Sequence, residues 1–174
     1  MDKFIGDYRI LVVDDVKDIH TIFNRILTYQ PQIKAGQSTP ILQTLPTFKI
    51  DDAFQGEDAL NLVKQALADN KPYALAFVDI RMPPGWDGIK TIQQIWDVDK
   101  DIQIVICTGG SDYSWEETVV KLDNIENFLI LKKPFDAVTV RQIACALTTK
   151  WRLTQQARLY TEKLEKLVAE IKPS

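Results

Sequence analysis

The feature that most constrains this chain is an alternation of short apolar runs with amphipathic stretches. The runs are Arg9–Val13, Phe48–Ala53, Ala74–Val78, Gln103–Cys107 and Asn127–Leu131. The first, third and fourth are nearly continuous in Ile, Leu, Val, Ala and Phe, the pattern of strands buried on both faces. Between the runs, Ile19, Ile22, Phe23, Ile26 and Leu27 follow the i, i+3, i+4, i+7, i+8 stripe of a helix. Leu60, Val63 and Leu67 repeat it, as do Ile89, Ile92 and Trp96, and then Trp115, Val119 and Leu122. Repeated strand–helix alternation predicts an α/β fold with a parallel sheet covered by helices on both sides. Right-handed crossovers make that an open, doubly wound sheet; periodicity leaves the strand order open.

At 174 residues, roughly 70% of the unfolded surface can be buried, so a core forms without disulfides or structural metal. Twenty-one basic against 24 acidic residues give a net charge of −3, which disfavours nucleic acid and anionic membrane as partners. Cys107 and Cys145 lie far apart in apolar segments, which argues against a disulfide framework or a cysteine zinc site. His20, the single histidine, is read as a surface or boundary residue. The opening MDKFIGDYRILVVDD meets two aspartates before a signal-peptide core can form, and no 18-residue apolar run exists; the expected location is cytoplasmic.

Two segments depart from the alternation. Residues 30–47, with Pro31, Gly36, Pro40 and Pro46, exceed an ordinary connection and are read as an inserted surface loop. In the tail, Leu153, Ala157, Tyr160, Leu164, Leu167 and Ile171 alternate spacings of four and three, a heptad seam suited to a parallel homodimer. A helix from Asp136 to Lys172 would be about 55 Å long at 1.5 Å per residue, longer than a domain of this size can cover. The expected organisation is therefore a domain over 1–150 and a C-terminal helical extension over 151–174, a possible coiled-coil linker.

Polar residues interrupt the apolar runs at their carboxyl ends. Asp14 and Asp15 end LVVDD, Asp79 ends ALAFVD, Thr108 ends IVICT, and Lys133 follows FLILK before Pro134. Open α/β sheets bind ligands outside the carboxyl ends of their strands, so these groups share one rim. Two carboxylates 4 Å apart repel by about 4 kcal/mol at an effective dielectric near 20, so a trio raises its pKa values or recruits a cation. Oxygen ligands of this kind suit Mg²⁺. A lysine and a hydroxyl beside them would neutralise a phosphoryl group in flight, and a carboxylate can accept it as an acyl phosphate.

The runs ILVVDD, AFVDIRMPPGWDG, IVICTGG and LILKKPF resemble the receiver domain of two-component response regulators, over roughly residues 7–150. The resemblance implies a flavodoxin-like sheet of five parallel strands in the order 2-1-3-4-5, with helices on both faces. It makes Asp79 the phosphoacceptor, Thr108 the switch hydroxyl and Lys133, rather than Lys132, the pocket lysine. Mg²⁺ would be held by Asp14, Asp15, Asp79 and the backbone carbonyl of Arg81, with Asp14 acting mostly through water. It implies a sensor histidine kinase or phosphotransfer protein as partner, and a signalling receiver that assists its own phosphorylation and dephosphorylation in place of an enzyme turning over a metabolite. The WRLTQQA stretch resembles helical linkers that lead from receivers into kinase or diguanylate cyclase domains.

Departures from the pattern are equally specific. Ile130 stands where the family carries its switch aromatic, Gly109 and Gly110 follow Thr108, and MPPGWDG is one residue longer than the common loop and carries Trp86. Arg81, two positions past Asp79, falls at a site that tunes phosphoryl lifetime in the family. Read alone, Asp14 and Asp15 are helix caps and Thr108 a turn residue; their weight is joint. Trp86, Trp96 and Trp115 are read as packing. A haloacid-dehalogenase-type phosphatase needs Asp-x-Asp, which neither Asp15-Val16-Lys17 nor Asp79-Ile80-Arg81 supplies. Nucleotide-binding glycine motifs are absent. The remaining alternative is a degenerate receiver that docks or dimerises without phosphorylation.

Overall fold

A computed structural model of the protein describes residues 6–30, 45–109 and 112–171. The elements run β1 (Asp7–Val13), α1 (Lys17–Leu27), β2 (Thr47–Ala53), α2 (Gly56–Ala68), β3 (Leu75–Asp79), α3 (Gly88–Val98), β4 (Gln103–Thr108), α4 (Trp115–Leu122), β5 (Phe128–Lys132) and α5 (Ala137–Ile171). All five strands pair in parallel in the order β2-β1-β3-β4-β5, as the resemblance implies. The inner strands β3 and β4 are buried throughout, while the edge strands β2 and β5 are partly exposed. This is why only the inner runs read as continuously apolar.

Side chains alternate between two core layers, because successive strand residues point to opposite faces. Leu11, Val13, Ala76, Val78, Ile104 and Ile106 pack with residues of α2, α3 and α4 on one face. Ile10, Val12, Leu75, Phe77, Val105 and Cys107 pack with α1 and α5 on the other. Each large apolar side chain sealed this way contributes roughly 1.5–3 kcal/mol. Both cysteines are free thiols, and burial pushes the Cys107 thiol well above its ordinary pKa.

Several sequence readings shift by a residue or two. On α1 the buried residues are His20, Phe23 and Leu27, whereas Ile22 is exposed, so the stripe is centred one position away from the Ile-rich face. On α4 it is Thr118 and Leu122 that are buried; Trp115 is half-exposed and meets the Phe128 ring at 5.7 Å. Trp96 is a core residue whose indole N–H donates to the Ile102 carbonyl at 3.1 Å. Trp86 lies partly exposed with the Lys90 ammonium over its ring. Most of the inserted 30–47 stretch (31–44) and Gly110 lie outside the described residues.

The last helix starts where the sequence places it, with Asp136 accepting from the Thr139 amide at 2.9 Å. Val140, Ala144 and Leu147 dock on the sheet, and the helix runs unbroken through residue 150. Further contacts hold it beyond the core: Lys150 donates to the Asn127 side chain at 3.1 Å, the Trp151 ring stands edge-on to Tyr8, and Gln155 and Arg158 bind the Asp101 carboxylate. From Ala157 to Ile171 every residue is exposed. No helix among the described residues is long and apolar enough to cross a membrane.

Candidate functional site

The carboxyl rim of the sheet gathers the polar residues that end β1, β3, β4 and β5. Asp14 follows β1 and is fixed from three sides. Its amide donates to the Ala53 carbonyl at 3.1 Å, its Oδ1 accepts from the Val16 amide at 2.9 Å, and its carbonyl accepts from His20 Nε2 at 2.7 Å. The helix-cap reading of Asp14 and Asp15 fails, since Val16 is the α1 cap residue and makes no side-chain cap bond. Asp79 closes β3, and its Oδ2 accepts from the Arg81 amide at 3.0 Å. The loop that follows is tight: the Gly88 amide donates to the Ile80 carbonyl at 2.8 Å, and a Cβ on Gly88 would lie 2.3 Å from the Asp79 carbonyl oxygen. Only glycine lets α3 start this close to the end of β3.

Lysine enters from β5. The Lys133 amide donates to the Thr108 carbonyl at 2.8 Å, which turns the ammonium back over the rim. There Nζ donates to Asp14 Oδ2 at 3.0 Å and to Asp79 Oδ1 at 2.8 Å. Lys132 is exposed at the end of β5. Carboxylate oxygens of Asp14, Asp15 and Asp79 all lie within 4.8 Å of one another. A partly solvated set of hard oxygens this close, with net negative charge, fits a Mg²⁺ ion.

Burial governs the titration of this cluster. Asp79 is pushed above the ordinary carboxylate pKa by its burial; hydrogen bonding and attraction to Lys133 oppose the shift, and repulsion from Asp14 adds to it. Burial alone would lower the Lys133 pKa, but its hydrogen bonds to Asp79 and Asp14 outweigh that and raise it. The two upward shifts have different causes, burial for Asp79 and the carboxylate partners for Lys133.

Thr108 ends β4 and is buried, but its hydroxyl donates to a carboxylate that no sequence motif singles out, Asp112 Oδ2, at 3.0 Å. The same oxygen accepts from the Gly109 amide at 3.2 Å, and Asp112 Oδ1 pairs with Arg81 Nε. Arg81 thus reaches the site twice, through its amide to Asp79 and through its guanidinium to Asp112. His20, read from sequence as a surface or boundary residue, is instead 4% exposed. Its Nε2–H donates to the Asp14 carbonyl, and its Nδ1 lies 2.7 Å from the Asp52 carboxylate at the end of β2. Ile130 is half-buried against the core and aliphatic, as the sequence states; the buried ring on β5 is Phe128, two positions earlier.

A parallel 2-1-3-4-5 sheet with a lysine-bridged acidic cluster on its carboxyl rim defines an open, doubly wound α/β protein. The family model described as the response regulator receiver domain matches residues 10–144, and the chain belongs to that family. Such domains are signalling modules of two-component systems. Among solved structures it is similar to a CheY-like receiver domain protein from Methanospirillum hungatei JF-1, at 17% identity and a TM-score of 0.64, covering 86% of this chain and 99% of that one. It is also similar to the receiver domain of NtrX from Brucella abortus, at 24% identity and a TM-score of 0.58, covering 80% and 98%. A third is the CheX-CheY-BeF3-Mg+2 complex from Borrelia burgdorferi, at 22% identity and a TM-score of 0.59, covering 80% and 88%. These likenesses establish the fold. No curated protein matches the sequence.

Proposed function

We propose that this receiver domain accepts a phosphoryl group on Asp79 from the phosphohistidine of a sensor kinase or phosphotransfer protein, and that the added charge shifts its conformational equilibrium. The observation that carries this reading is the bridge of Lys133 Nζ to Asp79 and Asp14 beside a third carboxylate. An Asp79 carboxylate oxygen attacks phosphorus, the P–O bond forms as the donor's P–N bond breaks, and the departing imidazole keeps the electron pair. Lys133 compensates the charge on Asp79 and on the incoming phosphoryl oxygens, and the Arg81 amide holds Asp79 Oδ2 so that the carboxylate keeps its orientation. Asp14, Asp15, Asp79 and the Arg81 carbonyl are the groups that would hold Mg²⁺, which when bound supplies further positive charge for the phosphoryl oxygens. The Borrelia burgdorferi complex contains Mg²⁺, which supports a receiver that works with this ion. Thr108 is the hydroxyl that answers the phosphoryl group. Water attack on phosphorus later restores the carboxylate and releases inorganic phosphate.

Incubation with acetyl phosphate and Mg²⁺ tests the assignment. A labile phosphate-sized mass gain is expected in the wild type and not in Asp79→Asn; the same gain in both would place the acceptor elsewhere. No gain in either would favour a phosphorylation-independent docking module.

The same proposal divides the chain into a receiver over 1–150, with the inserted loop, and a helical extension over 151–174. Leu153, Tyr160, Leu164, Leu167 and Ile171 are each more than half exposed along one seam of α5, which supports pairing with a second copy. Light scattering on the full chain is expected to give a dimer that Leu164→Glu converts to a monomer. Equal masses for the two proteins would remove the seam as an interface.

A further inference from the structure

Beside the acceptor, the β3–α3 and β4–α4 loops enclose a cleft of about 440 Å³ whose lining includes Arg81, Met82, Asp87, Asp112 and Tyr113. The Asp112 side chain ties its two walls together. The Asp112 carboxylate is only 7% exposed, and it accepts from the Thr108 hydroxyl, the Gly109 amide and the Arg81 guanidinium. We propose that Asp112 is a positioning residue that keeps the Thr108 hydroxyl and the Arg81 side chain engaged in the resting domain, so that a phosphoryl group on Asp79 must displace a carboxylate to claim them. The inference rests on Asp79 being the phosphoacceptor.

The argument is one of competition between anions. Thr108 offers one hydroxyl proton, and a hydroxyl that donates to a carboxylate cannot donate to a phosphoryl oxygen as well. Arg81 has five N–H donors but one location, and its Nε is committed to Asp112. Asp112 also adds a negative charge to a rim that already carries Asp14, Asp15 and Asp79, which opposes the arrival of a phosphoryl dianion. Asp112 therefore biases the domain toward its unphosphorylated state, and the Gly109 amide keeps the competing carboxylate registered on the same loop as the hydroxyl it holds.

Beryllium fluoride with Mg²⁺, titrated into the full chain and followed by calorimetry, reads the competition without hydrolysis. Asp112→Ala is expected to bind about tenfold more tightly than the wild type, the scale of one charge-assisted hydrogen bond released to the ligand. Asp112→Asn, which keeps an acceptor oxygen but loses the charge, is expected to gain less. In a Thr108→Val background the Asp112→Ala gain is expected to shrink by about threefold, because the hydroxyl being released is gone. Thermal melts show that each variant is folded, and Asp112→Asn carries the test if Asp112→Ala is not. Unchanged or weaker binding in the folded variants overturns the inference, because a purely structural Asp112 gives that result. A gain of the same size in the Thr108→Val background overturns it too. Failure of the wild type to bind beryllium fluoride at all would instead remove the phosphoacceptor reading, and this inference with it.

Discussion

The acidic cluster makes a quantitative prediction about Asp79→Asn in metal-free buffer: the variant is more stable than the wild type. At separations of no more than 4.8 Å and an effective dielectric near 20, each carboxylate pair repels by at least about 3.5 kcal/mol, so Asp79 faces at least about 7 kcal/mol from Asp14 and Asp15 together. Its attraction to Lys133 at 2.8 Å returns about 6 kcal/mol on the same scale. Burial of the charged side chain, only 11% exposed, is the largest single influence against the charged form. Asn keeps an oxygen for Lys133 and removes the charge. A net gain of about 1 kcal/mol corresponds to a rise in Tm of roughly 2–4 °C for a chain of this size. Because the folded-state pKa of Asp79 is raised, its contribution to stability is complete below the ordinary carboxylate value and is lost as pH rises through the folded value. The advantage of the variant should therefore be full at neutral pH and vanish as acid protonates the wild type. Saturating Mg²⁺ should reverse the order, since a ligand at 100 times its Kd stabilises the wild type by about 2.7 kcal/mol. Differential scanning calorimetry with EDTA and with Mg²⁺ reads both effects. A variant that melts below the wild type in EDTA at neutral pH, or an equal Mg²⁺ shift in both proteins, would refute the electrostatic account.

Three further substitutions probe the scaffold of the site. Lys133→Met leaves Asp14 and Asp79 facing each other without an ammonium, at a cost of about 3–5 kcal/mol in chemical denaturation. Because the Lys133 pKa is raised in the folded state, that deficit should persist across neutral pH and close only in alkali above the folded value. His20→Leu orphans the Asp14 carbonyl, and a loss of about 1–3 kcal/mol is expected, together with weaker Mg²⁺ binding by calorimetry; an unaltered Mg²⁺ affinity would confine His20 to stability alone. Gly88→Ala drives a Cβ into the backbone of Asp79 and Ile80, so loss of Mg²⁺ binding is expected even where circular dichroism shows the fold retained.

Much of this was legible because the sheet writes its layers into the sequence. The doubly buried strands β3 and β4 carry polar residues only at their ends, Gln103 where β4 begins and Asp79 and Thr108 where the chain leaves the core. Lys133 was legible through the family resemblance, because it stands directly before Pro134 at the end of β5. His20 was misread because the isoleucines of α1 pulled the apparent stripe one position round the helix. The spacing His20, Phe23, Leu27 was present in the sequence, but a histidine on an apolar face reads as its boundary unless a buried acceptor is known to lie above it, and that acceptor is the backbone carbonyl of Asp14.

Asp112 was illegible for a deeper reason, one that bears on how receivers of a single fold come to differ. Residues that create the pocket are fixed by strand ends, and strand ends are fixed by burial, so sequence pattern finds them. Residues that bias the pocket come from loops, where Asp after Gly-Gly-Ser reads as an ordinary polar turn. Its partners, Arg81 from the β3–α3 loop and Thr108 from the end of β4, are united only by the adjacency of β3 and β4, a property of strand order that periodicity does not contain. The family resemblance supplies that order, but it carries no expectation for a carboxylate four residues past the switch hydroxyl. The chemistry of the acceptor therefore belongs to the part of the chain that the fold dictates, and the set point of its equilibrium to side chains that the fold only brings within reach.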